Sequence, residues 1–374
     1  MDNTRNETSQ RSERSIARSS AIQKLLNEFA PCDDQDLLEE MIVSVCRLAQ
    51  DGCGRGELKL LNRALKELRY AFKTFAPYSE VPKVSIFGSA RTKEDHPQFI
   101  QAVRFAKLMQ TAGWMVITGA GGGIMKAGHY GATREASFGV SISLPFEQTA
   151  NEIIANDEKL VNFKYFFTRK LMFVKEARAI ALFPGGFGTQ DEGFEAMTLI
   201  QTGKSNPMPI LLVDEPGGTY WQHWRTYVKS ELLHHGMISP EDMHLFHLTD
   251  DAEDAVREVL QFYRVYHSSR FVRKDFVIRL NRIVSPELLD RLNTEYADLL
   301  REGRFRVEPA ALPEENGEYA DKPRLVFAFN RNSVGRLRMM IDVLNSGMER
   351  ETVTPAGAPV QAGRPVLLTA DDDE

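Results

Sequence analysis

Between residues 81 and 265, short unbroken apolar runs alternate with amphipathic stretches, and this alternation leaves few folds open. KVSIFGS (83–89), WMVITGA (114–120), FGVSISLP (138–145), AIALFPGG (179–186) and PMPILLVDE (207–215) read as strands, with LVNFKYFF (160–167) as a shorter one. A strand with one wet face alternates apolar and polar residues. The runs WMVI, AIALF and PILLV do not, so both of their faces are covered. Between them, HPQFIQAVRFAKLMQTAG (96–113) reads as a helix stopped at Gly113, and helices follow at 168–177, from about 189 to 202, and near 219–235 and 251–265. Buried strands joined by crossover helices give an α/β fold, a Rossmann-like doubly wound parallel sheet.

The flanks read differently. Residues 1–20 are polar and aperiodic and are expected to be a disordered leader. They lack an apolar signal core, and no run in the chain approaches the ~18 apolar residues of a membrane span. Residues 21–80 form an N-terminal helical segment, a hairpin of helices at 35–50 and 57–76 around the breaker DGCGRG. After the 81–265 domain, residues 266–348 read as a small α+β appendage, with strands at 273–283, 304–308 and 324–329 and helices at 285–300 and 333–347. Residues 349–374 read as a flexible acidic tail ending DDDE. A formal net charge of −6 does not suit a nucleic-acid binder. Three cysteines (Cys32, Cys46, Cys53) without metal-ligand spacing suit a reducing cytoplasm, read as incidental thiols.

Ligands of an open parallel sheet bind beyond the carboxyl ends of its strands. Three small-residue loops lie at such ends: FGSAR (87–91), TGAGGGIM (118–125) and FPGGFGT (183–189). Glycine loops that open helices present free N–H groups to anions, so the three together point to a phosphate-bearing ligand. The dinucleotide fingerprint fails, because Ile124 and Lys126 stand where its last glycine belongs. The nucleoside-triphosphate loop GxxxxGK[ST] is missing as well, which leaves a mononucleotide-sized group. The last loop runs straight into three carboxylates, Asp191, Glu192 and Glu195. One of them must serve a part of the ligand other than its phosphate.

PGGFGTQDE (184–192) resembles the PGGxGTxxE signature of the LOG (Lonely Guy) family of nucleotide phosphoribohydrolases, often labelled lysine decarboxylases. Arg169-Lys170 in FFTRKLMF resembles that family's Arg-Lys pair, and TGAGGGIM and IFGSAR resemble its other loops. The likeness spans about residues 81–265. The two extensions resemble, more loosely, larger bacterial nucleosidases of the same superfamily.

The resemblance implies hydrolysis of a nucleoside 5′-monophosphate to free base and ribose 5-phosphate, without metal or other cofactor, by a cytoplasmic homodimer with sites near its interface. AMP, GMP, pyrimidine monophosphates and prenylated AMP all satisfy it. It implies a phosphate cradle of Gly185, Gly186, Gly188 and Thr189, with Gly121, Gly122, Gly123 and Ser89. It assigns Glu192 as the catalytic carboxylate and Arg169 as its partner, which is expected to keep Glu192 ionised. Lys170 and Glu195 are further substrate-binding candidates. The rival readings are a non-catalytic carrier of a nucleotide or of a molybdenum-cofactor-like group, and a pyridoxal-phosphate decarboxylase, for which no anchoring lysine motif is found.

Other residues have plainer readings. Asp191 is expected to face solvent, His129 to be a polar helix residue, and His234-His235 to lie on the surface. Phe163, Tyr165, Phe166 and Phe167 read as core. Arg324, Arg331, Arg336 and Arg338 read as a solvated face rather than an effector site.

Overall fold

The computed structural model describes residues 19–143 and 150–346; the expected leader, save its last two residues, and the expected acidic tail lie outside the described residues. The chain forms two compact units, Met1–Lys66 and Glu67–Glu374. In the first, residues 19–29 are helical (α1), followed by α2 (Gln35–Gln50) and the start of α3 (Arg55–Phe75). α1 has Ile22, Leu25, Leu26 and Phe29 at helical spacing.

The second unit holds a seven-stranded sheet in the order β4-β3-β2-β1-β5-β6-β7. Its strands are β1 (Lys83–Phe87), β2 (Met115–Thr118), β3 (Ser137–Ile142), β4 (Leu160–Phe163), β5 (Ala179–Leu182), β6 (Ile210–Val213) and β7 (His247–Thr249). Every neighbouring pair is parallel. β5 and β6 are buried along their whole length, as unbroken apolar runs require, and so are β2 and β1, where Lys83 and Ser85 donate to the Tyr78 and Phe173 carbonyls. The helices between strands are α4 (Pro97–Thr111), α5 (Ile124–Ala132), α6 (Phe166–Lys175), α7 (Phe187–Gln201), α8 (Tyr220–Tyr227) and α9 (Ala252–Phe262). The fold is the expected doubly wound α/β sheet. β7 was not anticipated, since three residues carry too little pattern.

The chain runs outward from β1 to β4, then returns to place β5 on the other side of β1. The strand order therefore reverses between β1 and β5, where such sheets bind ligands.

A four-stranded antiparallel sheet follows, in the order β10-β11-β9-β8. It comprises β8 (Tyr266–Val272), β9 (Asp275–Leu280), β10 (Leu300–Glu308) and β11 (Arg324–Phe329), with helices α10 (Pro286–Glu295) and α11 (Val334–Ser346). β8 was missed because its centre is HSS, yet His267, Ser268 and Ser269 are buried. His267 Nδ1 and Ser268 Oγ pair with each other at 2.9 Å, while Asn206 of the main domain donates to the Ser269 carbonyl at 2.9 Å and accepts from its hydroxyl at 3.2 Å.

Period-two alternation divides this sheet's residues. Phe276, Ile278, Leu280, Leu325, Phe327 and Phe329 join the main core, while Val277 and Val326 face the other way. On that second face Arg279 stands directly opposite Arg324. Two like charges opposed in a ladder are unfavourable. Glu315 lies between them, accepting from Arg279 Nε at 2.8 Å and from Arg324 Nε at 2.9 Å.

The solvated-face reading therefore fails for Arg324, which has no exposed surface, and for Arg338, which is buried and bonded to Asp342 and Glu258. Arg336 stays partly exposed, paired with Asp298 at 2.9 Å. All three cysteines are free, Cys32 and Cys46 exposed. No helix among the described residues is long and apolar enough to cross a membrane.

Removing the carboxylate between two buried guanidiniums takes an acid from both, leaving Arg279 with Glu318 at 2.6 Å and Arg324 with the carbonyls of Glu318, Tyr319 and Lys322. Glu315→Gln should cost about 3–5 kcal/mol of stability, read as a lower urea midpoint at unchanged slope. A loss below about 1 kcal/mol would show that the triad is not what holds the second sheet.

Candidate active site

The loops after β1, β2 and β5 meet at the reversal point, and backbone hydrogen bonds of Ser89 join them. Its N–H donates to the Pro184 carbonyl at 3.1 Å, and its carbonyl accepts from Ile124 N–H at 3.0 Å. Its hydroxyl accepts from Arg91 N–H at 3.1 Å. The contacts are close enough to demand glycine. A Cβ on Gly123, already at φ +57°, would lie 2.2 Å from the Ser89 carbonyl oxygen. A Cβ on Gly185 would lie 2.1 Å from Thr189 Oγ1 and 3.0 Å from Ser89 N.

Gly186 and Gly188 behave oppositely: a Cβ on either would meet nothing within 4 Å. Packing does not require glycine there. What the bare backbone provides is close access to the start of α7, whose first N–H groups have no partner within the helix. Thr189 is buried behind this turn.

The β2 loop is braced from below. Ala120 sits at φ +65°, a left-handed conformation uncommon for a residue with a side chain. Thr118 Oγ1 accepts its N–H at 3.0 Å, and the Asn151 amide donates to the carbonyls of Ala120 (3.0 Å) and Gly121 (2.9 Å). His129 completes the brace, with Nε2 at 3.0 Å from Thr118 Oγ1 and 3.1 Å from the Phe138 carbonyl, and Nδ1 at 3.1 Å from Asn151 Nδ2. It is fully buried, and burial lowers its pKa against the pull of the Phe138 carbonyl and Asn151, so the ring is neutral at physiological pH. His129 is thus a polar helix residue, as expected, but a buried one whose hydrogen bonds hold the loop.

α6 brings the basic pair to this place. Its N-terminus is held by Glu67 of α3, a buried residue not singled out in the sequence. The Glu67 carboxylate accepts from Lys164 N–H and from Thr168 Oγ1, both at 2.8 Å. The Arg169 guanidinium donates from Nε to the Val140 carbonyl at 2.9 Å and lies over the Phe173 ring at 5.1 Å. Its Nη2 also fills the space beside Gly119, where a Cβ would come within 2.4 Å.

Lys170 points to α7, pairing with Asp191 at 2.8 Å and with Glu195 at 2.6 Å. Burial alone would lower the Lys170 pKa, but these two carboxylates raise it. Asp191 is exposed as expected, yet tied to Lys170; Glu195 is tied likewise.

Glu192 lies on the opposite side of the balance. It is 8% exposed, and burial, the largest influence, lifts its pKa from near 4.5 to about 7 against the attraction of Lys170 and Arg169. The expectation that Arg169 would keep this carboxyl strongly ionised is corrected: desolvation outweighs the cations, and Glu192 titrates near neutrality. Such a carboxyl can hold or release a proton at working pH.

A cavity of about 540 Å³ opens beside these loops, lined among others by Arg91, Lys93, Gly122, Gly123, Lys126 and Asn151. Neither the start of α7 nor Glu192 lines it. Of the expected aromatic core group, Phe163 is buried, whereas Phe166 and Phe167 are half exposed on α6. Among the described residues no group of three or more His, Cys, Asp or Glu side chains is placed to hold a metal ion.

A carboxyl whose folded pKa is raised binds more protons folded than unfolded between pH 4.5 and 7, so its ionisation costs stability as pH rises through that window. Glu192→Gln should therefore be more stable than the parent at pH 8, by on the order of 3 kcal/mol. The gain should fade as pH falls toward 4.5. Equal unfolding midpoints at both pH values would show that the carboxyl is not strained by burial.

A family model described as "Possible lysine decarboxylase" matches residues 122–259. The cytokinin riboside 5′-monophosphate phosphoribohydrolase of Mycobacterium tuberculosis is 29% identical over 150 residues, 39% of this chain and 76% of that protein. Among solved structures, the Moco carrier protein of Chlamydomonas reinhardtii is 20% identical, covering 48% of this chain and 96% of that one at a TM-score of 0.35. The molybdenum cofactor binding protein of Rippkaea orientalis is 15% identical, covering 48% and 95% at a TM-score of 0.34. By its family match and its curated relative, the α/β domain of this chain is similar to the LOG family.

Proposed function

We propose that this protein hydrolyses the N-glycosidic bond of a nucleoside 5′-monophosphate, releasing the free base and ribose 5-phosphate. One juxtaposition carries the reading: an open anion cradle at the start of α7, and one turn further along that helix a buried carboxyl titrating near 7. The phosphate is received by N–H groups of Gly186, Phe187 and Gly188, with the helix dipole behind them. That anchors the ribose so that C1′ faces Glu192.

Cleavage of C1′–N passes through an oxocarbenium-like state, in which the electron pair leaves with the base nitrogen and positive charge gathers on the sugar. Ionised Glu192 stabilises that charge and takes a proton from the attacking water. The water oxygen bonds to C1′ and the departing nitrogen gains a proton, so the net reaction adds water across the C1′–N bond. Arg169 and Lys170 supply cations beside the carboxyl, with Lys170 also neutralising Asp191 and Glu195, which would otherwise repel the phosphate.

The test is base release from a panel of nucleoside 5′-monophosphates and their parent nucleosides. Release from the monophosphates alone is expected. It should fall by about 100-fold or more in Glu192→Ala, with kcat/KM in the parent rising with pH through a midpoint near 7 as Glu192 ionises. Tight nucleotide binding without turnover would favour the carrier reading instead.

We also propose a cytoplasmic homodimer. Phe166, Phe167 and Phe187 are 51%, 53% and 96% exposed on α6 and α7 beside the site, a costly arrangement for a lone chain. Sedimentation at micromolar concentration should give twice the chain mass; a monomer would contradict this.

A further inference from the structure

The cradle glycines are flexible, so something outside the loop must fix the direction in which their peptides point. The Tyr220 hydroxyl donates to the Gly185 carbonyl at 2.5 Å and accepts from Gln190 Nε2 at 2.7 Å. The hydroxyl has one proton. With Gln190 donating to it, that proton goes to Gly185. Tyr220 itself is anchored: its ring packs edge-on against the buried Trp221 at 4.8 Å, and Trp221 N–H donates to Asp214 Oδ2 at 3.3 Å.

In a planar trans peptide the carbonyl and the following N–H point in opposite directions. Holding the Gly185 carbonyl toward Tyr220 therefore turns the Gly186 N–H the other way. We infer that Tyr220, kept in orientation by Gln190, is a positioning residue that aims the Gly186 N–H at the substrate phosphate and so sets affinity for the phosphorylated sugar. The inference rests on the phosphoribohydrolase reading of this site. It extends that reading to α8, which bears none of the signature residues.

Tyr220→Phe keeps the ring and removes only the hydroxyl. Losing one such hydrogen bond should raise the calorimetric Kd for ribose 5-phosphate about tenfold. KM for the nucleotide should rise by a similar factor, with kcat within about twofold and inhibition by free base unchanged. Gln190→Ala should act in the same direction, and the double variant should be no worse than Tyr220→Phe alone. An unchanged Kd overturns the positioning role, whether or not nucleotide is hydrolysed. So does a parallel fall in kcat and unfolding midpoint, which would mark a merely structural tie. Base release missing in the parent, with the Kd shift intact, overturns the hydrolase reading and leaves the positioning role standing. Failure of the parent to bind ribose 5-phosphate overturns both.

Discussion

Ser89 joins the three loops through its own backbone. Its N–H is given to the loop before α7 and its carbonyl to the first turn of α5. Those two bonds require the loops after β1, β2 and β5 to approach within van der Waals contact, which only glycine permits at 123 and 185. The approach in turn sets the start of α7, and with it the position of Glu192 one turn later. Sheet order decides that these loops can meet; the Ser89 bonds and glycine backbones decide how closely.

The arrangement works against stability in places. Ala120 occupies a left-handed conformation, and Glu192 is buried far enough to titrate near 7. Each is compensated locally. Thr118, Asn151 and His129 satisfy the backbone around Ala120, while Lys170 absorbs the other two acids of α7. Strain and a perturbed carboxyl gathered at one strand-end crevice are what a reactive site requires.

Much of this could be read in the chain. Unbroken apolar runs gave the parallel sheet, and glycine spacing located the loops. The residues that hold the site in place could not be read, because their partners are distant in sequence. Glu67 caps a helix that begins about a hundred residues later, and Tyr220 reaches back 35 residues to Gly185. Burial was equally hidden. Arg169 and Glu192 in the same site suggested an ionised carboxylate, but the depth of Glu192 reverses that inference. In the second sheet, arginines that look solvent-facing are buried because Glu315, Glu258 and Asp342 come to meet them. β8 escaped notice because its buried Ser269 depends on Asn206, more than sixty residues earlier.

The central claim is that the bond broken is C1′–N and that the phosphate stays on the sugar. Phosphorus NMR with chromatography of the products from a nucleoside 5′-monophosphate decides it most directly. The account predicts free base and ribose 5-phosphate in equal amounts. Nucleoside with inorganic phosphate, or nucleotide recovered intact from a protein that binds it, would contradict it.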